Sequence, residues 1–370
     1  MQFIKSPNTV LGIDFSDLSL KATEVRKKRG VNSITALNSA QIPEGIVSEG
    51  EILKHDRVAK IIKKLIDESP TKFSTRYVVL SLPEPKTFIK VIEITSKDAK
   101  KNKVRDIILK ELPRHVPIDI NEVQLDWQEI GNDHKSRKFL VGTVPKVVVD
   151  DYIKVCKLAG LVPVALEIEA QAIARSIIAV NRKSVTSIAK KVNLLKKKQI
   201  NVIDPSSSKM IVDLGASRTG LIVVDNGLIQ FANSLAHISG KSITERISRK
   251  KSLSLIEAEK AKLICGSNPK KCKGIILDVI EDAINELIGE IIGALEFYEN
   301  HFSKSTENME IVLCGGGANL SGLDVAIKEK LRRNVLIADP LINTSNKLPR
   351  NVKNIASYTT AIGLALRNNL

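Results

Sequence analysis

Residues 210–227, MIVDLGASRTGLIVVDNG, predict a strand, a tight turn and a second strand. The first apolar run leads into Asp213, and the second ends at residues 225–227, whose Asp-Asn-Gly sequence is typical of a turn. Small residues occupy positions 215–217 between the two runs. The backbone N–H groups of such a turn can face a phosphate, and the carboxylate can hold Mg²⁺ or its water shell. The stretch therefore predicts a phosphate-binding hairpin.

A second hairpin with a weaker form of this pattern lies at residues 10–25, VLGIDFSDLSLKATEV. Asp14 again follows an apolar run, and Ser16 and Lys21 are the nearby polar residues that could contact a phosphate. Two such hairpins in one chain predict a duplicated domain whose halves face each other across a cleft.

Three consecutive glycines, residues 315–317, follow an apolar strand predicted at residues 310–313. A strand that ends in bare backbone lets a flat ring lie against it, because no side chain intervenes. Each of these three elements occurs in many proteins. Their order along one chain, with hairpins at the first two, favours nucleotide binding.

Composition favours a protein of two lobes with an aliphatic core. The chain has 370 residues, of which 43% are hydrophobic and only 4% aromatic. Its four cysteines form no C-x-x-C pair and have no accompanying histidine cluster, which argues against a zinc site or a disulfide scaffold and favours a reducing cytoplasm. No apolar run reaches the ~18 residues that span a bilayer, and the first residues are too polar for a signal peptide.

The formal net charge of +16 comes from clustered lysines and arginines. Such a charge attracts nucleic acid or anionic lipid. Because no aromatic residues are interleaved with the clusters, we expect solvated faces and loops and no nucleic-acid platform. The clusters lie at residues 26–29, 97–105, 182–198 and 249–251.

The order of predicted elements divides the chain into lobes, an insertion and a linker. Strands at 10–16, 18–26 and 33–42, a helix at 52–66 and a strand at 77–82 open the first lobe. A β-α-β-β-α block follows, including one charged helix predicted over 96–115. Strands are predicted at 162–168 and 231–238 and helices at 254–263 and 323–331, with Ser254 as N-cap and Glu257 three residues on forming a capping box. The predicted parts are 1–83 and 161–180 for the first lobe with a closing helix at 354–370, 84–160 for the inserted subdomain, 181–208 for a basic linker, and 209–353 for the second lobe.

The hairpin pair, an E-x-x-A-x-A helix, an AE-x-x-K helix and a GGGA turn resemble the actin-like ATPase superfamily. The inserted block, with KNKVRDIILKELPRHVPIDINEVQLDWQEI and KFLVGTVPKVVVDDYIKVCKLAGLVPVALEIEAQAIAR, resembles in particular the PilM family of type IV pilus assembly proteins, which are related to FtsA. The resemblance covers nearly the whole chain. It implies an α/β, actin-like ATPase fold: two duplicated lobes around a nucleotide cleft, with a small SHS2-like α+β subdomain inserted in the first lobe.

The resemblance also implies ATP and Mg²⁺ as cofactors. The resemblance implies that Asp14 and Asp213 lie at the metal ion. It also implies an acid near the γ-phosphate, which is either Glu167 or Glu169, and Glu167 is our candidate catalytic residue. The cofactor-binding residues that it implies are Asp14, Ser16 and Lys21 in the first loop, Asp213, Gly215, Ala216, Ser217 and Thr219 in the second, Glu259 and Lys262 on a helix, and Gly315, Gly316, Gly317 and Ala318 in the adenosine loop.

The first loop departs from the family pattern D-x-G-[ST]. Ser16 replaces the glycine, and Asp17 adds a negative charge where phosphates should lie. Two carboxylates repel a triphosphate unless Mg²⁺ lies between them, which would weaken nucleotide affinity or hydrolysis. Alternatively, Asp17 caps the turn and points outward, since aspartate is a favoured turn residue. The expected activity is nucleotide binding with, at most, slow ATP hydrolysis.

By resemblance, the function is that of a cytoplasmic ATP-binding scaffold of the type IV pilus machinery. Its partner would be the N-terminal peptide of a PilN-like inner-membrane protein, docked between the first lobe and the inserted block, with lobe closure set by nucleotide. Other platform proteins are further partners and self-association is possible, without nucleic acid or direct membrane insertion. The protein would lie at the inner face of the plasma membrane through its partner. The VNLL sequence at residues 192–195 resembles the partner's own motif, by chance or as an internal ligand.

Two other functions are compatible with the superfamily. An FtsA-like division protein that polymerises on the membrane would carry an amphipathic helix after the closing helix, where this sequence has only residues 367–370. A sugar or acetate kinase would need a base aimed at an acceptor, and the sequence nominates none.

Overall fold

The computed structural model describes residues 7, 9–101, 103–114, 119–132, 135–179, 203–302, 304–345, 348, 352 and 354–369. Most of the predicted basic linker lies outside these residues, as does the VNLL motif. The strands are β1 (Leu11–Phe15), β2 (Ser19–Lys28), β3 (Val31–Gln41), β4 (Val47–Ser48), β5 (Glu51–Ile52), β6 (Tyr77–Leu82), β7 (Phe88–Thr95), β8 (Val123–Asn132), β9 (Ser136–Pro145), β10 (Val162–Ile168), β11 (Lys209–Leu214), β12 (Thr219–Asp225), β13 (Leu228–Leu235), β14 (Glu310–Cys314) and β15 (Val335–Ile337). The α-helices are α1 (His55–Asp67), α2 (Ser96–Lys101), α3 (Val104–Glu111), α4 (Lys146–Leu158), α5 (Glu169–Ile177), α6 (Gly240–Lys251), α7 (Leu255–Cys265), α8 (Leu277–Phe302), α9 (Leu323–Leu331) and α10 (Thr359–Ala365).

Two five-stranded sheets repeat one topology. The first has the order β10-β6-β1-β2-β3 and the second β13-β12-β11-β14-β15. In each, an antiparallel hairpin opens the sheet, β1–β2 or β11–β12, and the first strand of the hairpin also pairs in parallel with a later strand. Asp14 and Asp213 therefore occupy corresponding positions near the ends of β1 and β11. This repetition confirms the predicted duplicated α/β architecture.

Each sheet is covered by helices that bury an aliphatic core. On one face of the first sheet, strands β1, β2 and β6 pack with α1 and α4. On the other face α10 lies against β1 and α5, at a close approach that two glycines allow. A Cβ atom on Gly12 would collide with the carbonyl oxygen of Ala361, and one on Gly363 with that of Ala172. The second sheet packs against α8 and α9.

A small three-stranded antiparallel sheet, in the order β7-β9-β8, lies in the sequence between β6 and β10. Its core includes Ile92, Ile108 and Phe139. Ile168 at the end of β10 packs directly against Gly142 of this sheet, where a Cβ atom would lie 2.8 Å from Ile168 Cδ1. The proposed boundaries of an inserted subdomain at 84 and 160 remain a prediction.

Several predicted elements have different limits in the structure. The helix predicted over 96–115 is two helices, α2 and α3, because Lys103 before α3 has an extended backbone (φ −65°, ψ 130°). The strand predicted at 231–238 begins earlier, at Leu228, because Asn226 and Gly227 both take positive φ and turn the chain at once. The predicted capping box is confirmed: Ser254 and Glu257 cap α7 reciprocally.

The sequence argued against a disulfide scaffold, and the structure contains one disulfide that the sequence did not predict. Cys265 at the end of α7 is bonded to Cys272, while Cys156 and Cys314 are buried free thiols. The chain returns to Cys265 through positive φ angles at Cys272 and Lys273, a turn that the spacing of the cysteines did not indicate. Within the described ranges, no group of three or more His, Cys, Asp or Glu side chains could hold a metal ion. No helix there combines the length and apolar composition that crossing a membrane requires.

Candidate functional site

A cleft of about 630 Å³ lies where the two β-hairpins face each other. Asp14 from the first hairpin and Asp213 from the second both line it, as does the glycine loop after β14. The structure therefore brings together the three elements that the sequence singled out. Twelve of the fourteen predicted cofactor-binding residues line this cleft: Asp14, Ser16, Lys21, Asp213, Gly215, Ala216, Ser217, Glu259, Lys262, Gly315, Gly316 and Gly317.

The first loop is closed by serine hydroxyls. Ser16 Oγ donates to the carbonyl of Ser19 at 3.1 Å and accepts from the Ser19 backbone N–H at 3.2 Å. Lys21 lies opposite Asp14 in the strand register, and its Nζ is 3.5 Å from Asp14 Oδ2. The serine in place of a glycine therefore gives a defined turn, with the aspartate and lysine side by side at the cleft.

Asp17 does not point outward. Its Oδ1 accepts a hydrogen bond from the Gly50 backbone N–H at 2.8 Å, and its Oδ2 is 2.7 Å from Arg218 Nη2. Arg218 belongs to the second loop, so this ion pair joins the two hairpins. The added carboxylate thus has a fixed partner, which the sequence did not predict because the two residues are far apart in the chain.

The second loop is built from backbone hydrogen bonds. Gly215 N–H donates to the Arg218 carbonyl at 3.0 Å, and the N–H groups of Gly240 and Lys241 at the start of α6 donate to Gly215 and Ala216. Thr219 is the exception among the predicted residues of this loop. It is fully buried and donates to the Ile238 carbonyl at 2.8 Å, so it faces the core.

Helix α7 supplies one side of the cleft through a pair of charges. Lys262 Nζ lies 2.7 Å from Glu259 Oε2, as the AE-x-x-K pattern suggested. The same ammonium group donates to the Gly240 carbonyl at 2.7 Å and to Thr244 Oγ1 at 2.8 Å. Lys262 therefore ties α7 to the start of α6, directly behind the second loop.

The glycine loop forms a bare surface opposite α7. Gly315 has φ +77°, and a Cβ atom there would collide with Asp213 Oδ1, so only glycine fits. At Gly316 an added Cβ would make ordinary contacts with Ser357 and Asn354, at 3.5 and 3.6 Å. Ala318, by contrast, is buried in the second core and does not line the cleft.

The junction between β10 and α5 separates the two acids that the sequence left as alternatives. Glu169 lines the cleft, whereas Glu167 faces away from it. Glu167 is 2% exposed at its side chain and forms two hydrogen bonds with Arg175, at 2.6 and 2.7 Å, and an ion pair with Arg367. The structure thus does not bring our candidate catalytic residue to the cleft. It places Glu169 there instead. Residues two apart in a continuing strand would share a face, but β10 ends at Ile168 and Glu169 is the first residue of α5, so the change to helical backbone turns its side chain to the other side.

Four acids surround the centre of the cleft: Asp14 and Glu84, which are buried, and Asp213 and Glu169, which are half-buried. Burial, and then the charge of Asp213, raise the pKa of Glu84 to about 7. Burial and the charge of Asp14 raise the pKa of Asp213 to about 6, and the same two causes raise that of Glu169 well above its usual value. Glu84 was missed by the sequence analysis. Its only sequence signal is an acid between two prolines directly after the buried strand β6, and its Oε1 has no hydrogen-bond partner among the described residues.

A second groove, of about 870 Å³, lies on the other side of the β10–α5 junction. Strands β8 and β9 of the small sheet form one wall, and α5 with the chain end after α10 forms the other. Trp127 and Gln128 lie on the first wall and Gln171 and Arg175 on the second. This groove therefore occupies the boundary between the first sheet and the inserted sheet.

A family model described as type IV pilus assembly protein PilM matches residues 12–369. The chain belongs to the PilM family. The predicted family is thereby confirmed.

Solved structures similar to this PilM-family chain share its architecture. A PilM-PilN type IV pilus biogenesis complex contains a chain 25% identical to it, with 98% of each chain covered and a TM-score of 0.75. The ethanolamine utilization protein EutJ from Carboxydothermus hydrogenoformans is 14% identical over 99% of this chain and 92% of its own, with a TM-score of 0.55. MreB5 of Spiroplasma citri bound to AMPPNP is 13% identical over 97% and 95%, with a TM-score of 0.56. These likenesses confirm the predicted actin-like ATPase fold.

Proposed function

We propose that this PilM-family protein is an ATP-binding scaffold of type IV pilus assembly, in which nucleotide in the cleft sets the closure of the two lobes. The proposal that the cleft binds nucleotide rests on one observation: two hairpins, each with an aspartate near the end of its first strand, and a glycine loop all line this cleft. The likeness to an MreB5 structure bound to AMPPNP supports it at the level of the fold.

The residues present fit a nucleotide with a magnesium ion. Gly315, Gly316 and Gly317 all line the cleft and present backbone without side chains, which suits a flat purine ring. Asp14 and Asp213 would hold Mg²⁺ through its water shell, because Mg²⁺ commonly takes one or two carboxylates together with the phosphates of its nucleotide. The ion would offset the charge of the phosphates, and Lys21 and Lys262 add positive charge to the lining of the cleft.

Isothermal titration with ATP·Mg²⁺ tests the nucleotide part. We expect micromolar or tighter binding by the wild type and a loss of about 100-fold or more in Asp213→Ala and in Gly316→Val. The valine should fold, since a Cβ atom at Gly316 meets only ordinary contacts, but its methyl groups would occupy the bare surface. Lys64→Ala, at a side chain 72% exposed on α1, is the matched control. Absence of ATP binding by the wild type would refute the proposal that the cleft binds nucleotide. A separate phosphate-release assay decides whether bound ATP is hydrolysed.

We also propose that the second groove docks the N-terminal peptide of a PilN-like membrane protein. The groove lies between the first sheet and the inserted sheet, where the family resemblance predicts the peptide, and a similar chain was solved in a PilM-PilN complex. The protein would then lie at the cytoplasmic face of the membrane, held there by its partner. Other platform proteins and further copies of the chain are additional possible partners under this proposal.

Filling the groove should block this docking. Gln171 on α5 is half-buried and lines the groove, so Gln171→Trp is expected to weaken binding of a labelled PilN-like N-terminal peptide by about 30-fold or more in fluorescence anisotropy. Lys154→Trp, at an exposed position of α4 outside the groove, is the control and should bind as the wild type does. Equal peptide affinity in both variants would place the docking site elsewhere.

A further inference from the structure

The ion pair between Asp17 and Arg218 lies where phosphate groups are expected. Arg218 is the last residue of the second loop, and its carbonyl accepts the N–H of Gly215, so the loop fixes its backbone. The side chain leaves this loop and reaches Asp17 in the opposite hairpin, with 2.7 Å between Nη2 and Oδ2. Both side chains line the cleft and are only 16% and 17% exposed. The pair is a charge-assisted hydrogen bond that is largely shielded from water.

Asp17 is itself held by the first lobe. Its second carboxylate oxygen accepts the Gly50 N–H at 2.8 Å, and the Gly50 carbonyl accepts the hydroxyl of Tyr152, a buried residue of α4, at 3.0 Å. One oxygen is thus bound to the scaffold, while the other is presented to Arg218. The carboxylate therefore acts as a fixed anion at the edge of the cleft.

The cations that line the cleft all have carboxylate partners. Lys21 lies beside Asp14, Lys262 beside Glu259, and Lys241 beside Glu245 and Glu44. Among the described residues, Arg218 is the only arginine that lines this cleft. A guanidinium group suits phosphate better than an ammonium group does, because its planar fork can bind two oxygens at once. A phosphate entering the cleft must therefore compete with a carboxylate for this group.

Arg218 also offsets the surrounding acids. Glu84 and Glu169 line the same cleft as Arg218, and the charge of Arg218 opposes the rise in their pKa values that burial causes. Without that positive charge, a phosphate would meet Glu84, Glu169 and Asp213 with little compensation. This arrangement gives Arg218 a place in phosphate binding that no motif assigns to it.

We propose that Asp17 is an internal competitor of phosphate for Arg218: the nucleotide's phosphates take the guanidinium group that Asp17 otherwise holds. The exchange replaces a direct bond between the two hairpins with one through the nucleotide. Arg218 is then a phosphate-binding residue, and Asp17 lowers the affinity for nucleotide by the strength of the bond that must be given up. The inference rests on the proposed nucleotide function of the cleft.

Isothermal titration of ATP·Mg²⁺ and of adenosine against single and double variants tests this competition. Asp17→Asn keeps the acceptor for Gly50 but removes the charge, and should bind ATP about tenfold tighter than the wild type, with unchanged adenosine affinity. Arg218→Gln should bind ATP about tenfold or more weakly, again with unchanged adenosine affinity. In the double variant, Asp17→Asn should no longer increase ATP affinity, because the guanidinium group for which Asp17 and phosphate compete is absent.

Glu44→Gln is the matched control. It breaks an ion pair between the loop after β3 and the start of α6, Glu44 with Lys241, at a side chain 72% exposed and outside the cleft lining, while Lys241 keeps Glu245 as a carboxylate partner. If general loosening of the lobes were responsible, this variant would also bind ATP more tightly; we expect no change. ATP binding that Asp17→Asn leaves unchanged or weakens overturns this inference alone. Absence of ATP binding in every variant overturns the proposed nucleotide function with it. Should Asp17→Asn fail to fold, Arg218→Gln decides: unchanged ATP affinity refutes the proposal.

Discussion

Gly363→Ala is expected to destabilise the protein by about 3 kcal/mol or more. The new methyl group would collide with the Ala172 carbonyl where α10 crosses α5. The backbone atoms on both sides of this contact belong to helices, so neither can move away without displacing its helix. The Gly363 carbonyl also accepts a hydrogen bond from Arg175 at 2.9 Å, which a displaced α10 would lose. Chemical denaturation of wild type and variant measures the difference in the free energy of unfolding.

Gly293→Ala provides the opposite case. Gly293 lies in the long helix α8, and a Cβ atom there would meet nothing within 4 Å. Alanine is the better helix former, so this variant should gain about 0.5–1 kcal/mol of stability. If both glycine variants lost similar stability, the close approach of α10 to α5 would not be the cause.

Glu167→Gln is expected to cost about 3 kcal/mol of stability while leaving ATP affinity unchanged. The carboxylate is almost wholly buried and balances two guanidinium groups, those of Arg175 and Arg367. Glutamine has nearly the same shape but no charge, so both arginines would lose their buried counter-charge. Denaturant unfolding and isothermal titration with ATP on the same preparations measure the two quantities.

Glu169→Gln is the matched partner of that experiment. Glu169 lines the cleft between the two hairpins, and its pKa is raised by burial, so the fold already favours the uncharged form. This variant should therefore keep or gain stability, and the effect on stability should be largest at high pH, where wild-type Glu169 would be forced to ionise. Its ATP affinity or hydrolysis should change. A Glu167→Gln variant that folds normally but cannot bind ATP would reinstate Glu167 as the acid of the cleft.

Sequence patterns predicted the elements well where their limits depend on local chemistry. The strands Tyr77–Leu82 and Val162–Ile168 and the helix Leu323–Leu331 were predicted to the residue, because apolar runs are bounded there by proline, glycine or polar residues. The duplicated hairpins were also recognisable, since each combines an apolar run, an acid and a small-residue turn. These signals lie within about twenty residues of chain and need no knowledge of the tertiary structure.

The residues that sequence patterns missed or misplaced depend on distant neighbours. Glu84 and Arg218 belong to the cleft only because the two hairpins face each other, and no local pattern encodes that. Thr219 and Ala318 lie beside correct motifs, but their side chains point into the core. Patterns of residues close together in the sequence thus identified the loops. The direction of each side chain depends on tertiary packing, which those patterns do not contain.

The β10–α5 junction has a mechanical consequence. Glu167 on one side contacts the groove, Glu169 on the other faces the cleft, and Ile168 between them presses on Gly142 of the inserted sheet. The groove and the cleft are therefore separated at this junction by a single residue, with no long relay of side chains. Under the proposed function, a pull on a peptide anchored in the groove would act through this short connection on the chain segment that carries Glu169. Closure of the cleft around a nucleotide would act on the bound peptide through the same connection.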